Sequence, residues 1–366
     1  MRKLQAGTML PSLCASGRLA PIIRGGGWKA AVARLGAAVL LAGGLTVGTG
    51  GLAQAGTLHC GQVITVDTRL TSDLVGCPDN GIVIGADNIT LDLNGHVIAG
   101  DGKPVTSCPP DADCDTGVDN NTAGAYSHVT ITGGSIRRFD VGVLVGGPST
   151  AGHISHLAVS HTSTVGILVA ESTKPVVDHN VIRDPGVVAV VLVTSAKPLL
   201  ASNVASGATG YAVFLRDDTN GRIVRNRLTT SEGGFAVGGT HNLVRGNVVT
   251  NSLGSIDVFD GAVSTRVEFN RLSHVGDGVI VGVASHTLVA HNLINRTGGD
   301  DRGGFGVILD GSADDSPGVL LPWSHLLVSV ASRVRSAHRG STAAVVPGHG
   351  CPRMALDCLG RKRARR

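Results

Sequence analysis

Short apolar runs alternate with polar bends from residue 128 to 314 and return at a nearly fixed interval. The plainest copies are VVDHNVI (176–182), LLASNVA (199–205), IVRNRL (223–228), LVRGNVV (243–249), VEFNRL (267–272) and LVAHNLI (288–294). Each carries one asparagine, Asn180, Asn203, Asn226, Asn247, Asn270 and Asn292, spaced by 23, 23, 21, 23 and 22 residues. A second mark keeps step, a glycine followed by an alternating apolar triplet: GVLV at Gly142, GILV at Gly166, GFAV at Gly234 and GVIV at Gly278, with variants at Ala189 and Ser255. A period near 22 with two or three β-branched runs predicts an all-β chain wound as a β-solenoid, one strand per run. No 3.6-residue period and no LxxLxL frame competes with it. The asparagines are expected at the tight bends, where they tolerate left-handed backbone. Stacked on successive coils, they would form an internal amide ladder.

Strand alternation assigns faces. With Val143 and Val145 inward, the outward row reads Leu144, Leu168, Val191, Phe214 (or Ala212), Ala236, Asp257, Ile280 and Ile308. Seven coils of apolar side chains stacked about 4.8 Å apart make a ribbon that calls for a cover: the chain's own loops, a second subunit or a sugar face. A register shift of one residue would instead send this row into the core.

The two ends differ from the body. Residues 1–55 carry six Lys/Arg and no acid, then an apolar stretch and Ala53-Gln54-Ala55, the order of an export signal. From 315 the period stops and nine Lys/Arg face two Asp. Of 31 cations and 27 acids in all, 56–314 therefore keeps 16 cations and 25 acids, a net charge near −9, although the whole chain is formally +4. An acidic body argues against nucleic acid as partner. The tail reads as a replaced or frame-shifted end, or as a capping helix over 319–334. The domain plan is 1–55 leader, 56–127 first coils with an insertion, 128–314 repeats and 315–366 basic tail. Beyond the leader stand six cysteines, an even count suited to an oxidising compartment. Cys60 and Cys77 flank a cap over the first coil, and Cys108 and Cys114 close a short inserted loop; both are expected as disulfides.

The opening CGQVITVDTRLTSDLVGCP (60–78) and the coil ITLDLNGHVIAG (89–100) are more specific. With the repeats downstream, they resemble secreted bacterial right-handed parallel β-helix proteins of the pectin-lyase-like superfamily, over 58–314. That resemblance implies a right-handed parallel β-helix. The superfamily holds polysaccharide lyases, hydrolases, uronate epimerases and members without known activity, so fold does not settle function. It also implies that activity, where present, lies on the outer face of the GxxV sheet.

On that face the polar candidates are Asp257, Asp260 and Asp277, with Arg216 as helper and Phe214, Ile280 and Asp310 as binding positions. Paired carboxylates serve as acid and base in glycoside hydrolysis, or hold Ca²⁺ that binds a uronate. Turn aspartates without chemistry are the commoner use of such residues. Asp111, Asp113 and Asp115 begin like a calcium loop but lack the sixth-place glycine and the twelfth-place acid, which is Thr122. No dedicated metal site is assigned and no cofactor is required, with Ca²⁺ the one candidate. The expectation is a secreted β-helix that binds polysaccharide or serves as an envelope scaffold and is able to self-associate. A lyase, hydrolase or epimerase working at the Asp257, Asp260 and Asp277 edge is the alternative.

Overall fold

The computed structural model describes residues 58–103, 115–121, 124–259, 261–297 and 306–310. Within them the chain winds as a right-handed parallel β-helix of about ten turns, with no α-helix. One coil shows the plan. Val165–Ala170 lies in sheet one, Val176–Asp178 in sheet two and Val181–Arg183 in sheet three, and the next coil repeats it at Val188–Val193, Leu199–Ala201 and Val204–Ser206. Sheet one has eleven parallel strands, from Gln62–Ile64 to Val307–Asp310. Sheets two and three merge where Thr130–Arg137 and His153–Ser160 run through the bend as single strands.

The repeats align because each coil places the same residue type at the same corner. Gly142, Gly166 and Ala189 point inward where the coil closes on itself; a Cβ on Gly166 would stand 2.6 Å from the Ala189 carbonyl oxygen. Only small residues fit, which is the reason for the glycine mark. In a single coil the bore takes two apolar side chains from sheet one, Ile167 and Val169, and one each from sheets two and three, Val177 and Ile182.

The expected asparagine ladder is present. Each Nδ2 donates to the Oδ1 of the next asparagine, from Asn180 through Asn292, at 2.9–3.0 Å. Each also donates to a backbone carbonyl of the preceding coil, as Asn226 does to Leu200. The left-handed residue, however, is the one before the asparagine: His179, Ser202, Arg225, Gly246, Phe269 and His291 all have positive φ. The amide must point inward to stack, so the outward-pointing neighbour takes the strained conformation. Six further histidines, His128, His156, His161, His241, His274 and His286, also have left-handed backbone.

Cys60 and Cys77 are joined, with Cα atoms 5.3 Å apart. They do not cap the solenoid. The first coil runs through Gln62–Ile64, Thr68–Arg69 and Leu74–Cys77, so the bond ties the beginning of that coil to its end. Cys108, Cys114, Asp111 and Asp113 lie outside the described residues, as do the leader and the tail.

Candidate site on the outer face of sheet one

Ladder pairing fixes the outward row. Leu144 pairs with Leu168, then Val191, Phe214, Ala236, Asp257, Ile280 and Ile308 in order. The alternation register is therefore the expected one, and Phe214 rather than Ala212 faces out, because Ala212 packs in the bore. The ribbon is nonetheless not bare at its upper end. Val141, Leu144, Val165, Leu168, Val188 and Val191 form an apolar cluster separate from the bore, and Val191 is 0% exposed.

The character of the face changes at Tyr211–Arg216. Tyr211 stands in the column of Val165 and Val188, and its ladder partner one coil on is Gly233. The ring lies across that glycine: a Cβ there would be 2.4 Å from the tyrosine Cδ1. Lying flat, the ring reaches two coils down, and its Oη donates to Asp257 Oδ2 at 2.5 Å. Ala236, between Phe214 and Asp257 in the ladder, is short enough to leave that path open. Phe214 and Phe259 meet at 5.7 Å between centroids and, with Tyr211 and Ala236, form a small apolar wall beside the carboxyl. Three of the chain's ten aromatic residues thus surround one aspartate.

Asp257 is partly buried, and its Oδ1 is sealed from solvent without a hydrogen-bond partner. Desolvation pushes its pKa up, the Tyr211 hydroxyl pulls it down, and the negative charge of Asp277 pushes it up again, leaving it at about 6. Tyr211 itself is raised, first by burial and then by Asp257. Asp277 precedes the Val279–Gly282 strand, and Val279 is the ladder partner of Ile256, so Asp277 falls beside Gly254 one coil on. Gly254 carries no side chain, and a Cβ there would meet nothing nearer than 3.7 Å. At Gly254 the row of side chains is thus interrupted, with Asp277 beside it on the next coil and the Tyr211–Asp257 pair on the same face.

The structure brings Asp257 and Asp277 together as expected. Arg216 lies outward one column over, in the ladder of Val193, and its Nε is 3.5 Å from Asp217. Ile280 borders Asp257 directly, one coil on. Asp310 pairs with Gly282 at the last described strand, and Asp260 lies outside the described residues. Tyr211 and Phe259 were missed from sequence. Asp115 is buried with its carboxyl raised to about 7, by desolvation and by Asp140, but among the described residues no three metal-binding side chains converge, there or elsewhere.

Residues 116–272 match the family model of the right handed beta helix region. No curated protein matches the chain. Among solved structures, DFA-IIIase from Arthrobacter chlorophenolicus A6 in complex with GF2 superposes with a TM-score of 0.53 at 13% identity, over 66% of each chain. The same enzyme in complex with DFA-III gives 0.52 at 13% identity, over 71% of each chain. This chain spans about two thirds of the length of those structures, and at such identity the likeness is one of fold.

Proposed function

We propose that this right-handed parallel β-helix protein is exported and binds a glycan on the outer face of sheet one, over Gly254. The observation that carries the reading is the Tyr211–Asp257 pair, set among aromatic rings on the same face as the side-chain-free position Gly254. The half-buried ring of Phe214, backed by the buried Phe259, offers a flat apolar face to a sugar, while few and well-placed polar groups fix orientation. Below about pH 6 Asp257 keeps its proton, so the wall it forms with the rings is uncharged and suits a neutral sugar face, while its Oδ1 stays sealed within the protein.

The test fills that position. Gly254→Leu has room for its Cβ and leaves the fold intact. On a panel of oligosaccharides at pH 5, the parent chain should bind at least one glycan and Gly254→Leu should lose it at least tenfold with an unchanged melting temperature. Equal binding by the variant, or no glycan bound by the parent, refutes the reading.

Cleavage of the bound glycan is a second reading, favoured by the raised Asp257 carboxyl. A protonated carboxyl is the group that delivers a proton to a glycosidic oxygen, and Asp277 would supply the second carboxylate. Turnover would then fall as pH rises through about 6. Asp257→Asn would abolish turnover and keep binding.

A further inference from the structure

The Asn bend joins sheets two and three, at the corner of the coil across from sheet one. Over coils 222–229, 243–252 and 266–275 this corner carries Arg222, Arg225, Arg227, Arg245, Arg266 and Arg271, all exposed, against a single acid, Glu268. Glu268 is buried and held by Arg266 at 2.5 Å. Among the described residues, none of the other five arginines pairs with a carboxylate. The net charge of the body hides this strip, because the acids lie on other faces.

The arginines are ordered by the ladder. In sheet two, Arg222 pairs with Leu243, and Leu243 with Arg266. In sheet three, Arg227 pairs with Val248, and Val248 with Arg271. Both rows therefore alternate cation, aliphatic, cation, with like charges two coils apart, about 10 Å. Between the rows runs the bend itself, with Arg225, Gly246 and Phe269 on successive coils.

Phe269 is the anomaly of the corner. It is 47% exposed and has φ 55°, a conformation that is an outlier for a bulky side chain. Its ring is stacked on His291, centroids 4.7 Å apart and 13° from parallel, and the Arg245 guanidinium lies 4.7 Å from its centroid. A strained residue that also exposes an aromatic ring contributes nothing to the bore. The positive φ itself belongs to the coil plan, as at Arg225 and His291, but an exposed phenyl ring at that position is particular to this coil.

We propose that this corner is a second binding site, for an acidic polysaccharide that carries one anionic group for every two sugar residues. Each sugar of an extended chain lying along the solenoid axis spans about one coil spacing. Charged residues then meet the arginines, and the neutral residues between them lie on Leu243 and Val248, with one ring packed on the Phe269 platform. A nucleic acid fits this less well. It presents a phosphate at every nucleotide and gains from a series of stacking rings, whereas here both rows are aliphatic on the middle coil, the one cation of that coil, Arg245, is held over Phe269, and that aromatic platform stands alone. The inference does not depend on the reading of sheet one.

The test measures binding of the full chain to immobilised polymers at low salt. The probes are hyaluronan, with one carboxylate per two sugars, polygalacturonate, with one per sugar, neutral dextran and oligo-dT. Hyaluronan should bind at least as tightly as polygalacturonate, dextran should not bind, and about 1 M salt should abolish the interaction. Arg225→Ser, Arg227→Ser, Arg271→Ser together should weaken hyaluronan binding at least tenfold, and Phe269→Ala several-fold, with melting temperatures held. Gly254→Leu should leave it unchanged, which separates this site from the one on sheet one. Polygalacturonate bound tenfold more tightly overturns the charge spacing. Tighter binding of oligo-dT assigns the strip to nucleic acid, and no binding of any anionic polymer removes the site.

Discussion

Replacing Asp257 by asparagine should make the protein more stable, and only above about pH 4. A carboxyl whose pKa is raised by folding keeps its proton while the unfolded chain has released it. Its cost to the fold is absent below the ordinary value of 3.8, grows between 3.8 and about 6, and is complete above 6. The shift of roughly two units corresponds to about 3 kcal/mol at about 1.4 kcal/mol per unit. Asparagine keeps an acceptor for the Tyr211 hydroxyl and places an uncharged group where Oδ1 is sealed without a partner. Urea unfolding of both proteins at pH 3.5, 5 and 7.5 gives the difference directly. It should be near zero at the lowest pH and rise to at most about 3 kcal/mol at the highest. A companion variant, Tyr211→Phe, removes the one hydrogen bond that lowers this pKa, so in its background the rise should still begin near 3.8 but continue to higher pH and end larger. A difference that is constant with pH, or one that makes the asparagine variant less stable at pH 7.5 than at 3.5, refutes the assignment of a raised pKa.

Two further predictions concern the scaffold. Asn226→Leu leaves Asn203 N and the Leu200 carbonyl without that partner and removes one of the bonds of Asn203 Nδ2, and should cost about 2–6 kcal/mol in urea unfolding; a loss under 1 kcal/mol would show that the ladder is not a source of stability. Reduction of Cys60–Cys77, which closes a span of 17 residues, should lower stability by about 3 kcal/mol. Mass spectrometry of the protein should find neither thiol free, and alkylation without prior reduction would contradict this.

The coil plan was legible because it is written once per period. Asn180 to Asn292 and Gly142 to Gly278 each mark a corner, and outward residues follow by alternation, so Asp257 was placed on the correct face. The left-handed position was misassigned by one residue, since the sequence shows which residue is invariant at a bend but not which of two neighbours turns inward. Tyr211 was missed because its partner is 46 residues away, two coils down. The available signal was the break in its column, where Val141, Val165 and Val188 give way to tyrosine and then to Gly233 and Gly254. The arginine strip was lost in the average: a net charge near −9 for 56–314 describes a sum over faces, and a solenoid keeps its faces apart.

The closed first coil bears on how such a chain finds its shape. Almost every strand here pairs with one a full turn away in sequence, so each new coil must close a loop of about 23 residues before its ladder rewards it. Among the described residues the first coil is the turn with no earlier edge to build on, and the bond between Cys60 and Cys77 draws its two ends together covalently. Once it is shut, sheet growth proceeds by addition to an existing edge, the easy direction for a one-dimensional array. An N-terminal seed also emerges first, whether from the ribosome or across a membrane. Folding should therefore have a polarity, with coils added from the oxidised end onward, and a reduced chain would lose its starting point before it lost any contact of the finished structure.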